Sequence, residues 1–381
     1  MRRARKDASW SPAAAVLALA LLAAAAPRDP GTPGTPGTPD IPDDPDTLAA
    51  LGGLLPPFVA DNFDELVKAA SATCEALPRQ LLFARTTALE LPLTELVQYT
   101  RRARRSFRVL SAHRQLRAPP DEPLVLYVPG WWNTPADASS RAIVAALMTR
   151  HRSVLLLDTR LSFCRGYISA VSSIKPLSNL LFSFVKNLHK KGHPISSIHL
   201  IGFSLGAHVA GMTGKLVQMK LNATIGQITA LDPARPCFAR TGTEHRLEKS
   251  DAQFVQVIHS SAGVLGIEEP LGHADVYVNG VPGKHPECEH KAISLECDHA
   301  QAWKLFAASA VNEKLFMGRQ CANWSELLQN KCSGNETQLG YACRPDAHGM
   351  FLYKSRQKSK PAAARRSLLT PYRALRWPLS W

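Results

Sequence analysis

At the centre of the stretch IGFSLGAH (Ile201–His208), Ser204 stands between Gly202 and Gly206 in the pattern G-x-S-x-G. A serine hydroxyl attacks a carbonyl only when a base takes its proton and a third group holds that base. The pattern is short enough to arise by chance, so its surroundings must give it meaning. SSIHLIGF (196–203) reads as a strand and GAHVAGMTGKLVQMKL (206–221) as a helix, which puts Ser204 in the turn between them. A nucleophile elbow has this form. Glycine on either side removes the β-carbon clashes of so tight a turn, and a helix starting just beyond aims free N–H groups at a developing oxyanion.

The acid and the base are expected downstream of the serine, in that order. ITALDPARP places Asp232 where a strand leaves the sheet, because Pro233 prevents the strand from continuing. Asp251, in EKSDAQF, is the rival acid, but it precedes a strand and so falls at the wrong sheet edge. Thirteen histidines compete for the base. His208 lies on the helix after the serine, His259 ends a strand and His273 sits in LGHAD. His299 follows Cys297 in a loop before an amphipathic helix, a position from which a side chain reaches the sheet edge. The spacing therefore points to Ser204, Asp232 and His299 as a triad. LYVPGWWN supplies the Trp131 N–H which, with the Leu205 N–H, would form an oxyanion hole.

Such groups need a sheet to hold them. PLVLYVPG (123–130), SVLLLDT (153–159), IGQITALD (225–232) and FVQVIH (254–259) read as further strands, and SSRAIVAALMTR (139–150) and LSNLLFSFVKNLHKKG (177–192) as helices. Strands alternating with amphipathic stretches predict an α/β domain with a mainly parallel central sheet flanked by helices.

The ends read differently. Arg2, Arg3, Arg5 and Lys6 precede an apolar run from Ala13 to Ala26, too short to span a bilayer, so residues 1–26 are expected to be a signal peptide and not a transmembrane segment. The PGTPGTPGTPD repeat begins a linker or pro-segment over 27–73, with a catalytic domain expected over 74–353. The formal net charge is +14, yet eight Lys and Arg with no acidic residue fall in 354–381, a basic tail expected to be disordered or to meet an anionic surface through Trp377 and Trp381. The body lacks a basic patch interleaved with stacking aromatics, which argues against nucleic acid as a partner. Eight cysteines in an exported chain suggest disulfides, and Asn222, Asn323 and Asn335 head glycosylation sequons.

With HLIGFSLGAHVAG, ITALDPARPCF, DAQFVQVIHSSAGVLG, GHADVYVNG and CDHAQAWKLF in order between Cys74 and Tyr353, the chain resembles the secreted pancreatic-lipase family, most closely its phospholipase A1-like and lipase-related insect members. The resemblance implies an α/β-hydrolase fold and the Ser204, Asp232, His299 triad. It also implies a lid closed by Cys288 and Cys297, and disulfides joining Cys321 with Cys332 and Cys74 with Cys164, leaving Cys237 and Cys343 unassigned. Where the family has His-Gly before the oxyanion residue, this chain has Pro129-Gly130. The family's calcium loop is kept only at Glu248 and Asp251, so no metal or other cofactor is expected. Only the basic tail follows Tyr353 in place of the C-terminal β-sandwich, so colipase is not expected either. The lid loop EHKAISLE offers only Ala292, Ile293 and Leu295 as apolar cover, too little to roof a deep pocket for a three-chain ester. In this family a short lid implies sn-1 acyl release from glycerophospholipid at a membrane or lipoprotein surface. A triacylglycerol lipase is the alternative reaction, and a non-catalytic, yolk-type binding protein the alternative class.

Overall fold

The computed structural model describes residues 63–78, 82–83, 93–116, 122–289 and 294–355. The expected signal peptide, most of the Pro-rich segment, the lid residues Ala292 and Ile293, and the tail from Arg356 onward lie outside the described residues.

Eleven strands form one sheet: β1 (Glu95–Thr100), β2 (Arg104–Arg108), β3 (Leu124–Val128), β4 (Ser153–Asp158), β5 (Ile198–Phe203), β6 (Ile225–Leu231), β7 (Ala252–His259), β8 (Ala274–Val278), β9 (Met317–Cys321), β10 (Glu336–Gln338) and β11 (Gly349–Tyr353). Their spatial order is β10-β9-β11-β8-β7-β6-β5-β3-β4-β1-β2. From β11 across to β4 every pairing is parallel. Antiparallel pairings close both edges: β1 with β4 and β2 on one side, β9 with β11 and β10 on the other. This is the α/β-hydrolase arrangement.

Among the described residues five longer helices accompany the sheet: α1 (Phe63–Ala76), α2 (Ala138–Leu147), α3 (Ile174–His189), α4 (Leu205–Leu221) and α5 (Ser294–Val311). Apolar side chains of α3 and α4 share one core layer, and those of α2 and α5 share the other. Because a strand's side chains alternate faces, β3 sends Leu124, Leu126 and Val128 to the first layer and Val125 and Tyr127 to the second. Both faces are covered, which is why these strands read as unbroken apolar runs. The run Tyr167–His189 is, among the described residues, long and apolar enough to cross a membrane, but 61% of its apolar window is buried in the protein, as in a core helix.

Three expectations are corrected. His299, expected in a loop before a helix, lies inside α5, which begins at Ser294. Helix α1 begins at Phe63 and so crosses the boundary expected at Cys74. Cys74 bonds to Cys237 and not to Cys164, which remains a half-buried free thiol, as Cys343 remains a buried one. The reason lies in how the N-terminal arm docks: Phe83 stacks on His245 and packs near Phe238, laying the arm along the loop after β6 that carries Cys237. The bonds Cys288–Cys297 and Cys321–Cys332 are formed. Asn222, Asn323 and Asn335 are all exposed.

Candidate active site

Parallel strands bring the loops that follow them to one sheet edge, and Ser204, Asp232 and the Pro129–Asn133 loop all lie there, after β5, β6 and β3. Ser204 has φ 55° and ψ −119°, a backbone state that L side chains rarely adopt. The glycines make this turn possible. A β-carbon on Gly202 would collide with the Gly206 carbonyl, and one on Gly206 with the carbonyls of Val128 and Pro129. The elbow is also tied to the neighbouring strand end, since Ser204 N–H donates to Leu231 O at 2.9 Å and Ala234 N–H to Ser204 O at 3.3 Å. Helix α4 starts at Leu205, directly after the serine, so the first amides of a long helix face the place where charge would develop.

Asp232 and His299 are hydrogen-bonded, Nδ1 to Oδ2 at 2.6 Å. That contact fixes the imidazole with Nδ1 as the donor and leaves Nε2 as the nitrogen able to take a proton. The ring also lies 4.6 Å, centroid to centroid, from Phe203, the residue before the serine. Asp232 is fully buried. Burial alone would raise its carboxyl, but the His299 hydrogen bond and charge, with the Ser261 hydroxyl and amide, hold it below the usual carboxylate range. Asp232 Oδ1 accepts the amides of Ser260 at 2.8 Å and Ser261 at 3.1 Å, while the Ser261 hydroxyl donates to Oδ2. Ser260 Oγ donates to the His299 carbonyl at 3.0 Å.

The competing groups have other tasks. His208 is buried, with Nε2 donating to Ala234 O at 2.9 Å and Nδ1 accepting from Leu247 N–H at 3.3 Å, and burial pushes it down to about 3. His259 spans Ile267 O and Asp275 Oδ1 at 2.8 and 3.0 Å, anchoring the loop after β7. His273 Nδ1 accepts from Val255 N–H at 3.0 Å. Asp251 sits at the start of β7, at the opposite sheet edge. Lys215 Nζ there lies 2.6 Å from both Glu248 Oε1 and Asp251 Oδ1. An ammonium between the two carboxylates does not fit a bound cation, and among the described residues no group of three or more His, Cys, Asp or Glu is arranged to hold a metal.

The loop after β3 passes against the serine, since a β-carbon on Gly130 would lie 3.0 Å from Ser204 Cβ. Trp131 is held there by its indole N–H, which donates to Arg165 O at 2.7 Å, and by edge-on contact with Tyr167 at 5.1 Å. Tyr167 in turn donates its hydroxyl to Pro236 O at 3.1 Å. The Pro129–Asn133 loop and the loop carrying Asp232 are thereby linked. A cleft lined by Gln98, Glu122, His151 and Arg152 lies where β3 and β4 begin, at the far edge of the sheet.

The family described as Lipase matches residues 84–360. The chain belongs to the lipase family. Among curated relatives it is 36% identical to Phospholipase A1 member A of Bos taurus over 196 residues, covering 50% of this chain and 42% of that protein. It is 38% identical to the protein of that name in Homo sapiens over 190 residues, covering 49% and 41%. With human Pancreatic triacylglycerol lipase it shares 34% over 201 residues, covering 46% and 42%. The chain thus spans about two-fifths of the length of the curated relatives it matches. A solved hyperthermophilic esterase from Pyrobaculum calidifontis aligns at 13% identity and a TM-score of 0.32, covering 70% of this chain and 95% of that one. So low a score adds no argument; the lipase fold rests on the sheet order and the family match.

Within this lipase-family site, sequence reading had not singled out Ser260, Ser261 and Gly266. All three surround the acid, and a β-carbon on Gly266 would collide with the Asp232 carboxylate. Their signal was the pair of serines directly after a strand end adjacent to that of Asp232. Cys237 and the whole of α1 were missed as well.

Proposed function

We propose that this lipase-family chain is an exported carboxylic ester hydrolase acting on lipid, of phospholipase A1 type. The observation that carries the reading is the 2.6 Å His299–Asp232 hydrogen bond set at the same sheet edge as a strained serine that opens a long helix. Ser204 Oγ attacks the acyl carbonyl carbon as His299 Nε2 takes its proton. Asp232 remains anionic and stabilises the imidazolium. The Trp131 and Leu205 amides receive the oxyanion. On collapse the ester C–O bond breaks and His299 returns its proton to the leaving glycerol oxygen. Water, deprotonated by the same imidazole, then splits the acyl-enzyme to fatty acid and free Ser204.

The phospholipid preference is supported by the names of the Phospholipase A1 relatives and by the eight-residue loop between Cys288 and Cys297. Cleavage of three-chain esters is a second reading, favoured by the similarity to human Pancreatic triacylglycerol lipase. Export is supported by the leader-like N-terminus, the disulfides and the exposed sequons. The ammonium held between Glu248 and Asp251 supports a reaction without metal. Acyl release from sn-1-labelled phosphatidylcholine and from triolein, with Ser204→Ala as control and EDTA in parallel, tests these points. Release from phosphatidylcholine alone, lost in the variant and unmoved by EDTA, is expected. Release from neither would sink the enzymatic reading.

A further inference from the structure

A small apolar cluster borders the first core layer, with which it shares Trp131, close to the candidate active site. It is built on Leu265, with Val264, Trp131, Trp132, Leu295 and Val67 packed against it. Trp131 and Trp132 belong to the oxyanion loop, and Leu265 to the loop that follows Ser261. Leu295 lies in the first turn of α5, four residues before His299 and within the ring closed by Cys288–Cys297. Val67 comes from elsewhere, from helix α1.

That helix presents one stripe to the protein. Val67, Ala70 and Cys74 recur at spacings of three and four, so they share a face. Val67 meets the cluster, Ala70 is buried and Cys74 is bonded to Cys237. Beyond the helix, Leu77 packs on the main core, Leu82 and Phe83 are buried, and Phe83 stacks on His245 with centroids 4.4 Å apart. The opposite side carries the exposed pair Lys68–Glu65. The helix is thus seated on its inner face and fastened at its C-terminal end.

We propose that α1, stapled by Cys74–Cys237, is a fixed roof over the mouth of the lipid site and sets its substrate class. Val67 seats it beside Trp131, Trp132 and Leu265, where it narrows the approach, so that a two-chain glycerophospholipid reaches Ser204 and a three-chain ester is turned away. The inference rests on the hydrolase reading and deepens it. Cys237 follows Asp232 by five residues, so the staple ties the roof to the loop that carries the acid.

The test uses the full secreted chain and two variants. Cys74→Ala with Cys237→Ala removes the staple without leaving a stray thiol. Val67→Arg forces a charge into the apolar seat and keeps the Cys74–Cys237 bond. Each is assayed for hydrolysis of triolein relative to phosphatidylcholine, and for the rate at which Ser204 is labelled by a phosphonate carrying a dialkylglycerol group relative to a small fluorophosphonate. Both ratios are expected to rise roughly tenfold in each variant, the scale on which a lost steric barrier changes discrimination, while labelling by the small probe stays within about twofold of wild type. Unchanged ratios with normal small-probe labelling would overturn the roof. So would parallel loss of every activity and of labelling in Val67→Arg, which would make α1 a structural brace. Failure of the wild-type chain to label at Ser204 would instead strike the hydrolase reading itself.

Discussion

Ser261 is joined to Asp232 twice: its amide donates to Oδ1 at 3.1 Å and its hydroxyl to Oδ2, the oxygen that also receives His299 Nδ1. Two donors therefore converge on one carboxylate oxygen. A buried carboxylate stays ionised only when hydrogen bonds to its charged form outweigh the cost of desolvation. Ser261 supplies part of that support from a residue that takes no part in the bond changes.

Ser261→Ala is expected to lower kcat/KM roughly tenfold, the scale of one hydrogen bond to a charged group. It should also move the acidic limb of the pH–rate profile upward, because the neutral acid loses a competitor when a donor to the anion is removed. The same sign applies to stability. Asp232 is depressed in the folded protein, so its contribution is present above the unfolded carboxylate value and is lost as pH falls through the folded one. In the variant that contribution is smaller and its loss is complete at higher pH. An unmoved acid limb would show that Ser261 only packs.

Asp232→Asn replaces an acceptor with an amide of the same shape. Without a carboxylate at Nδ1 the imidazole is free to take the other tautomer, and kcat is expected to fall by roughly 10⁴. The rate of covalent labelling at Ser204 should fall with it. A variant that labels as fast as wild type would remove Asp232 from the reaction.

The strand-to-helix turn at Ser204 and the strand end at Asp232 were legible in the sequence because each is fixed by local events: a strand end, a glycine, a proline or a helix start within a few residues. The central strands were legible for the same reason, since burial on both faces leaves unbroken apolar runs such as LVLYV. The edge strands were not, because ELVQYT and RRSFR have exposed or half-buried faces and carry charge among their apolar residues. Partners far apart in the chain were hidden too. Cys74 meets Cys237 across 163 residues through the way an arm docks, and no local pattern encodes that. Ser261 depends in the same way on the register of two parallel strands.

Ser204→Gly should abolish acyl release and raise thermal stability. A serine at φ 55°, ψ −119° carries backbone strain of about 1–3 kcal/mol, and glycine relieves it at an entropic cost of about 0.5–1 kcal/mol. A net gain on the order of 1 kcal/mol is expected, read as a higher Tm than in Ser204→Ala. Equal melting of the two variants would show that the turn is held without strain.

At the opposite edge of the sheet, Lys215 holds Glu248 and Asp251 together, and Asp251 is fully buried. Burial pushes the Asp251 carboxyl up to about 7, with Lys215 opposing the rise. The folded value lies above the unfolded one, so stability from this group is full below about pH 4, the unfolded carboxylate value, and declines as pH rises through about 7. Asp251→Asn removes the titration, and the Tm difference between wild type and variant should therefore shrink or reverse from pH 4 to pH 8. Lys215→Met is expected to be more damaging near neutral pH, because it leaves two carboxylates facing each other without a cation, and losing one partner of a buried pair costs about 3–5 kcal/mol. Millimolar calcium distinguishes two meanings of that loss. If the carboxylates are shaped around an ammonium, calcium leaves the Tm of Lys215→Met unchanged. Restoration of the wild-type Tm by calcium would show instead that the corner remains a metal site which the lysine happens to fill.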